Sequence, residues 1–177
     1  MIQVRASRPG DGAALRAIER SAGELFRAVG MDSVADDEPR AEAELASYAI
    51  DGRSWVAEDS SGKPVAYVLV DDVDGNAHVA QVSVLPRSQG RGIGRALLER
   101  VRVWAIATDR PAITLTTFSA VPWNRPLYEH LGFVVLSEDE IGPELQAVRR
   151  DEAIGGLDPA ARVCMRVGTA VLMGAEL

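Results

Sequence analysis

Residues 87–100 read RSQGRGIGRALLER. Gly90, Gly92 and Gly94 fall within five positions, with Arg87, Arg91 and Arg95 around them and a helical apolar pattern directly after. These residue types in this order suit the capture of an anion. Glycines let the backbone turn sharply and approach a ligand closely, and a helix start offers unpaired N–H groups and the positive end of its dipole. Arginine forks suit phosphate oxygens. Two common nucleotide loops fail on spacing. A GxGxxG fingerprint counted from Gly90 needs glycine where Arg95 stands, and it follows the first strand of a parallel unit, whereas several strands come before this loop. A GxxxxGK[ST] loop needs a lysine, and the chain's lone lysine is Lys63.

The rest of the chain bounds what this loop can serve. At 177 residues it suits one domain with a sizeable core, read as 1–167, followed by a C-terminal tail, 168–177. The formal net charge is −7. The acidic excess lies in the first half, while 86–102 sets Arg87, Arg91, Arg95, Arg100 and Arg102 against Glu99. A small basic spot on an acidic chain argues against nucleic-acid binding and for one small polyanion. The acidic remainder would steer a cationic second ligand, or serve solubility alone. One cysteine, Cys164, rules out an internal disulfide, and with two histidines no dedicated metal site is expected. Cys164, between Val163 and Met165, reads as a buried strand residue. No apolar run is long enough to span a membrane, and MIQVRASRPGDG lacks the apolar core of a secretory signal, so a cytoplasmic location is expected.

The elements that must position the loop follow from periodicity. IQVR (2–5) reads as a strand. A helix opens at Pro9-Gly10-Asp11, carries Leu15, Ile18, Leu25 and Phe26 at helical spacing, and ends at Gly30. MDSVADDEP (31–39) reads as an acidic loop, and 38–49 as a helix with Leu45 and Tyr48 on one face. Strands are expected at 54–59, 64–72 and 78–86, separated by the turns SSGK and DGN. A helix over 92–107 presents Ile93, Leu97, Val101 and Trp104 on one side. AITLTTF (112–118) is β-branched and reads as a strand; PLYEHLG (126–132) reads as a short helix, FVVL (133–136) as a strand, 143–153 as a helix and ARVCMRV (161–167) as the last strand. Hairpins first and crossover helices later imply an α/β fold with a mixed, mainly antiparallel sheet covered by helices.

Gln89-Gly90-Arg91-Gly92-Ile93-Gly94, placed after VSVLP and before an amphipathic helix, resembles the Q/R-x-x-G-x-G/A motif of the GNAT N-acetyltransferase superfamily. WNRPLYEHLGF (123–133) resembles that family's second coenzyme A motif. The resemblance covers about 2–136, with 161–167 as the final strand. It implies a sheet whose fourth and fifth strands splay to hold acetyl-CoA. It implies that backbone groups of Val82, Ser83 and Val84 hold the pantetheine arm and polarise the thioester. The pyrophosphate would lie on Gln89, Gly90, Arg91, Gly92, Ile93, Gly94 and Arg95, with Arg87 also in reach. Asn124 resembles a pantetheine contact, although it stands only four residues before Tyr128, where many relatives have a longer spacing.

The implied reaction is direct acetyl transfer to an amine. The nitrogen must be neutral to attack, the oxyanion needs donors, and the leaving thiolate needs a proton. Tyr128 matches the tyrosine that supplies this last proton in many relatives; it also suits plain packing beside Leu127 and Leu131. The base is open. Where many relatives carry a glutamate on the fourth strand, this chain has Ala80, with Gln81 beside it and His78 two residues earlier. His78, Glu24 or an acid of 32–38 could take the proton or anchor a cationic substrate, and a relay through water needs no dedicated base. Phe118 and Trp123 could line the acceptor pocket or belong to the core. The acceptor is read as a small-molecule amine; a protein N-terminus or lysine, or a coenzyme A sensor without catalysis, are the alternatives. Many members of this fold pair as homodimers.

Overall fold

A computed structural model describes residues 2–171. Residues 172–177 of the expected tail lie outside the described residues; Thr169, which is described, is buried, its N–H bonded to the Pro111 carbonyl at 3.0 Å. Seven strands are hydrogen-bonded in the order β1-β2-β3-β4-β5-β7-β6: β1 Gln3–Ala6, β2 Ser54–Glu58, β3 Pro64–Val73, β4 Asn76–Val84, β5 Ala112–Phe118, β6 Val134–Val135 and β7 Arg162–Gly168. The helices are α1 Gly12–Gly23, α2 Asp32–Ala35, α3 Glu42–Ile50, α4 Ile93–Ala107, α5 Arg125–His130 and α6 Pro143–Ile154. β1 with β2, β2 with β3, β5 with β7 and β6 with β7 pair antiparallel, and β4 with β5 pairs parallel. This is the mixed, mainly antiparallel sheet that the hairpins and crossovers imply. Among the described residues no helix is long and apolar enough to cross a membrane.

The chain forms two compact units, one of 2–70 with 80–100 and one of 71–79 with 101–171. In the first, α1 begins where Asp11 accepts the Arg8 N–H at 2.7 Å and pairs with Arg5 at 2.8 Å. Leu15 and Ile18 are buried, as their helical spacing requires. β3 is buried along almost its whole length, from Val65 to Val70, so it reads as a continuous apolar run rather than an alternating one. A phenol in such a strand must find a partner, and Tyr67 does, on Glu19 of α1.

In the second unit, β5 is bonded to β7 from Ala112 to Phe118. Val73, Leu136, Ile141, Leu145 and Cys164 form a buried cluster with Val148 against it. The expected strand residue Cys164 is thus buried, on β7. The two-residue turn between β3 and β4 anchors α6. The Asp74 carboxylate accepts the Glu144 and Leu145 N–H groups at 3.0 Å each, capping the helix, while the Glu144 carboxylate accepts the Asp74 N–H. Gly142 sits so close that a Cβ there would stand 2.4 Å from the Asp74 Oδ2 atom.

Three expectations need correction. The helix expected to run to Gly30 is α-helical only to Gly23; Glu24–Val29 continue as a 3-10 helix, so Leu25 and Phe26 lie on that tighter turn and are half-buried. The acidic stretch 31–39 contains α2, a single turn in which the Val34 and Ala35 N–H groups both bond to the Met31 carbonyl. FVVL shrinks to the two-residue β6, Val134–Val135, both exposed and paired with Arg166 and Met165 of β7; the Leu136 N–H adds one bond to the Cys164 carbonyl at 2.9 Å without extending the strand.

Candidate active site

The anion loop lies within the first unit. After β4, Pro86–Ser88 make one 3-10 turn closed by the Ser88 N–H on the Leu85 carbonyl at 2.8 Å. Gln89 is extended, and its side-chain amide donates to the Val84 carbonyl at 3.4 Å, tying the loop to the strand end. Gly92 has φ +73°, a left-handed backbone that L side chains rarely adopt, and Gly90 is similar at +70°. α4 starts at once: the Ala96 N–H bonds to the Gly92 carbonyl at 3.0 Å. The N–H groups of Ile93, Gly94 and Arg95 therefore stand before the first intrahelical bond, as helix geometry dictates. Arg87, Gln89, Arg91 and Arg95 are exposed. Most other arginines, among them Arg5, Arg16, Arg27, Arg53, Arg110 and Arg162, are paired with carboxylates. Exposed donors, left-handed glycines and a helix start at one point can hold a multivalent anion.

Gly94 is different in kind. It lies inside α4 with no left-handed φ, and a Cβ there would meet nothing within 4 Å. Gly94→Ala should therefore fold unchanged and gain stability of about 0.5 kcal/mol from helix propensity. A thermal melt raised by one or a few degrees checks this, and a lowered melt would show a packing contact.

β4 brings Val82, Ser83 and Val84 to the loop. Ser83 is buried and its neighbours are half-buried. Its hydroxyl accepts from the Gln81 amide at 2.8 Å and lies near enough to the Tyr67 phenol to favour its ionised form. Burial and the Glu19 carboxylate push the Tyr67 phenol far above its ordinary range. The Glu19 carboxyl is pushed up by desolvation, against the pull of the Tyr67 hydroxyl and the Arg40 charge. Neither Glu19 nor Tyr67 stands out in the sequence as a site residue. A helical count would have raised Glu19, which lies four residues after buried Leu15 and beside Ile18 on the inward side of α1. Glu24, in contrast, is exposed and bonded to Arg27 at 2.9 Å. Arg27 also pairs with Asp32 and Asp36, so these acids form a surface ion network.

The remaining residues lie in the second unit. His78 pairs with Thr114 across the parallel register Ala77–Val79 against Ile113–Leu115. It is 3% exposed, with its Nδ1 3.0 Å from the Thr114 Oγ1 atom, and desolvation pushes its pKa down, which keeps the ring neutral. Phe118 is buried, with the Arg162 guanidinium 4.6 Å from its ring centroid. Trp123 is half-buried. Asn124 precedes α5, and its carbonyl accepts the Leu127 and Tyr128 N–H groups at 3.0 and 3.3 Å while its side chain makes no capping bond. Tyr128 stacks edge-on against Phe133, centroids 5.6 Å apart. Its residue surface is only half covered, yet its phenol is desolvated, which pushes the pKa up to about 12 and keeps the hydroxyl protonated. The loop, residues 80–84 of β4 and Glu19 are thus grouped in one unit, and Tyr128, Asn124, Trp123, Phe118 and His78 in the other.

The model of an acetyltransferase (GNAT) domain matches residues 51–135, a stretch that runs from β2 through the loop and α4 to β6. Solved structures share the fold. The N-acetylglutamate synthase of Neisseria gonorrhoeae, complexed with coenzyme A and N-acetyl-glutamate, superposes with a TM-score of 0.71 at 17% identity over 96% of this chain. This chain spans 35% of that one. The ribosomal-protein-S18-alanine N-acetyltransferase of Escherichia coli gives 0.65 at 20% identity, over 100% of this chain and 99% of that one. The PaiA N-acetyltransferase of Thermoplasma acidophilum, in complex with coenzyme A, gives 0.71 at 12% identity, over 95% and 99%. The domain match covers the glycine loop, and the seven-stranded order with its parallel β4–β5 pair is the fold these enzymes have; residues 51–135 match a GNAT acetyltransferase domain, set within a chain of that fold.

Proposed function

We propose that this protein transfers the acetyl group of acetyl-CoA to the primary amine of a small molecule. The loop Gln89–Gly94 at the start of α4 carries the reading: it offers a pyrophosphate left-handed glycines, helix-start N–H groups and exposed Arg87, Arg91 and Arg95 at one place. Backbone groups of Val82, Ser83 and Val84 hold the pantetheine arm and polarise the thioester carbonyl, with Asn124 as a further contact. Support comes from the family's motif and from two coenzyme A complexes among the fold relatives.

The amine nitrogen attacks the thioester carbon, a C–N bond forms, and strand amides stabilise the oxyanion. As the C–S bond breaks, Tyr128 gives its phenolic proton to the sulfur. Its desolvated, protonated hydroxyl suits a donor. Exposed Glu24 and half-buried Trp123 suit acceptor contacts better than buried His78 and Phe118 do.

A second reading, acetylation of a protein N-terminus, draws on the Escherichia coli relative, which matches this chain end to end. Purified protein with acetyl-CoA and a panel of small amines, polyamines, amino acids and alanyl peptides decides between them. Free thiol released with a small amine is the expected result. Release with peptides alone would establish the second reading. Tight acetyl-CoA binding with no turnover on any acceptor would make the protein a sensor.

A further inference from the structure

Amine acetylation needs a proton acceptor, and β4 carries Ala80 and Gln81 where a carboxylate would be convenient. The first unit contains a carboxylate fixed by a side chain of β3. Tyr67 donates to the Glu19 carboxylate, and on β4 Gln81 donates at 2.8 Å to the hydroxyl of Ser83, which lies near enough to the Tyr67 phenol to favour its ionised form. A carboxylate only accepts, so the Tyr67 hydroxyl is the donor of its bond to Glu19. Tyr67 and Ser83 are buried, whereas Glu19 is half-buried.

From this arrangement we infer that Glu19 is the general base of the transfer, with Tyr67 of β3 fixing its carboxylate. The inference rests on the transferase reading above and deepens it. As the C–N bond forms, the amine nitrogen passes one proton to the Glu19 carboxylate, directly or through one water. The C–S electron pair leaves on sulfur, which takes the Tyr128 proton, and solvent returns the proton from Glu19 to Tyr128. The products are the N-acetyl amine and free coenzyme A, and no proton is gained or lost by the enzyme.

The charged groups facing Glu19 are Arg16 on its own helix and Asp37 and Arg40 on the segment before α3, together with the Tyr67 hydroxyl of β3. Arg16 is itself engaged by Glu38 and by the Pro39 and Arg40 carbonyls, at 2.8 and 2.5 Å for the carbonyls. Desolvation outweighs the two arginines and places the carboxyl above the ordinary range, nearer the pH at which a base must work.

The test is the pH profile of kcat/KM with the best amine of the panel. In wild type the acid limb should contain a break from Glu19 titration. Glu19→Gln, which can still accept the Tyr67 hydroxyl, should lose that break and at least about 100-fold in kcat, a usual loss for a general base. Its acetyl-CoA affinity should stay within about two-fold, which also reports a folded protein. Glu19→Asp should keep the break at a reduced rate. Wild-type turnover with a Glu19→Gln profile and rate like its own would overturn the assignment alone. A wild type that binds acetyl-CoA and acetylates nothing would overturn the transferase reading and this assignment with it.

Discussion

Gly92→Val should abolish measurable acetyl-CoA binding, with an affinity loss on the order of 100-fold or more by titration calorimetry. The left-handed backbone at φ +73° costs an ordinary L residue about 1–2 kcal/mol, and a β-branched one more. The loop can relieve that strain only by rotating, which turns the helix-start N–H groups away from their common focus. No protein atom opposes the new side chain, since a Cβ at this position meets nothing within 4 Å. The loss must therefore come from loop geometry and from ligand space, not from a damaged core. Gly94→Ala is the matched control: it adds the same Cβ two residues on without a left-handed φ and falls within the family's G/A motif, so its affinity should be unchanged. Equal affinity of Gly92→Val and wild type would remove the loop from the coenzyme site.

The second large effect is expected at Tyr128. Tyr128→Phe should lower kcat about 100-fold, or ~2.7 kcal/mol of transition-state stabilisation, and leave acetyl-CoA affinity nearly unchanged. The ring remains to pack edge-on with Phe133, so the substitution removes only the hydroxyl. The pH dependence has a definite sign. The phenol is a donor only while protonated, and its pKa is raised to about 12, so Tyr128 contributes no basic-side fall in rate at any ordinary assay pH. Stopped assays of thiol release from neutral to moderately alkaline pH check both points. A variant as active as wild type would take Tyr128 out of the mechanism.

Much of the scaffold was legible because its signals are local. β5 occupies the whole β-branched run Ala112–Phe118, and α4 begins one residue from its expected start, where the glycines stop and the apolar period begins. The glycine loop was legible for the same reason: conformation, charge and helix start are all written in one short window. What escaped has long-range causes. α2 is one turn held by the Met31 carbonyl and by Arg27 reaching Asp32 and Asp36, and it has no apolar period to announce it. The Glu19–Tyr67 bond joins positions 48 apart. Each partner alone looks ordinary, a helix acid and a strand aromatic. Only the demand of a buried phenol for a partner links them. His78 shows the reverse case: a titratable residue on the right strand, which the fold turns into the core beside Thr114.

The contact between Gly142 and Asp74 bears on how this chain can drift. A side chain at 142 would overlap the carboxylate that caps α6, since its first carbon would lie 2.4 Å from Asp74 Oδ2. Trimming Asp74 first would open the space but leave the Glu144 and Leu145 N–H groups uncapped, a loss of about 1 kcal/mol. Either single step is costly, while a joint change that supplies a cap from elsewhere is not. Mutational histories at these two positions, 68 apart in the sequence, are therefore entangled: the order in which substitutions arrive decides which ones survive.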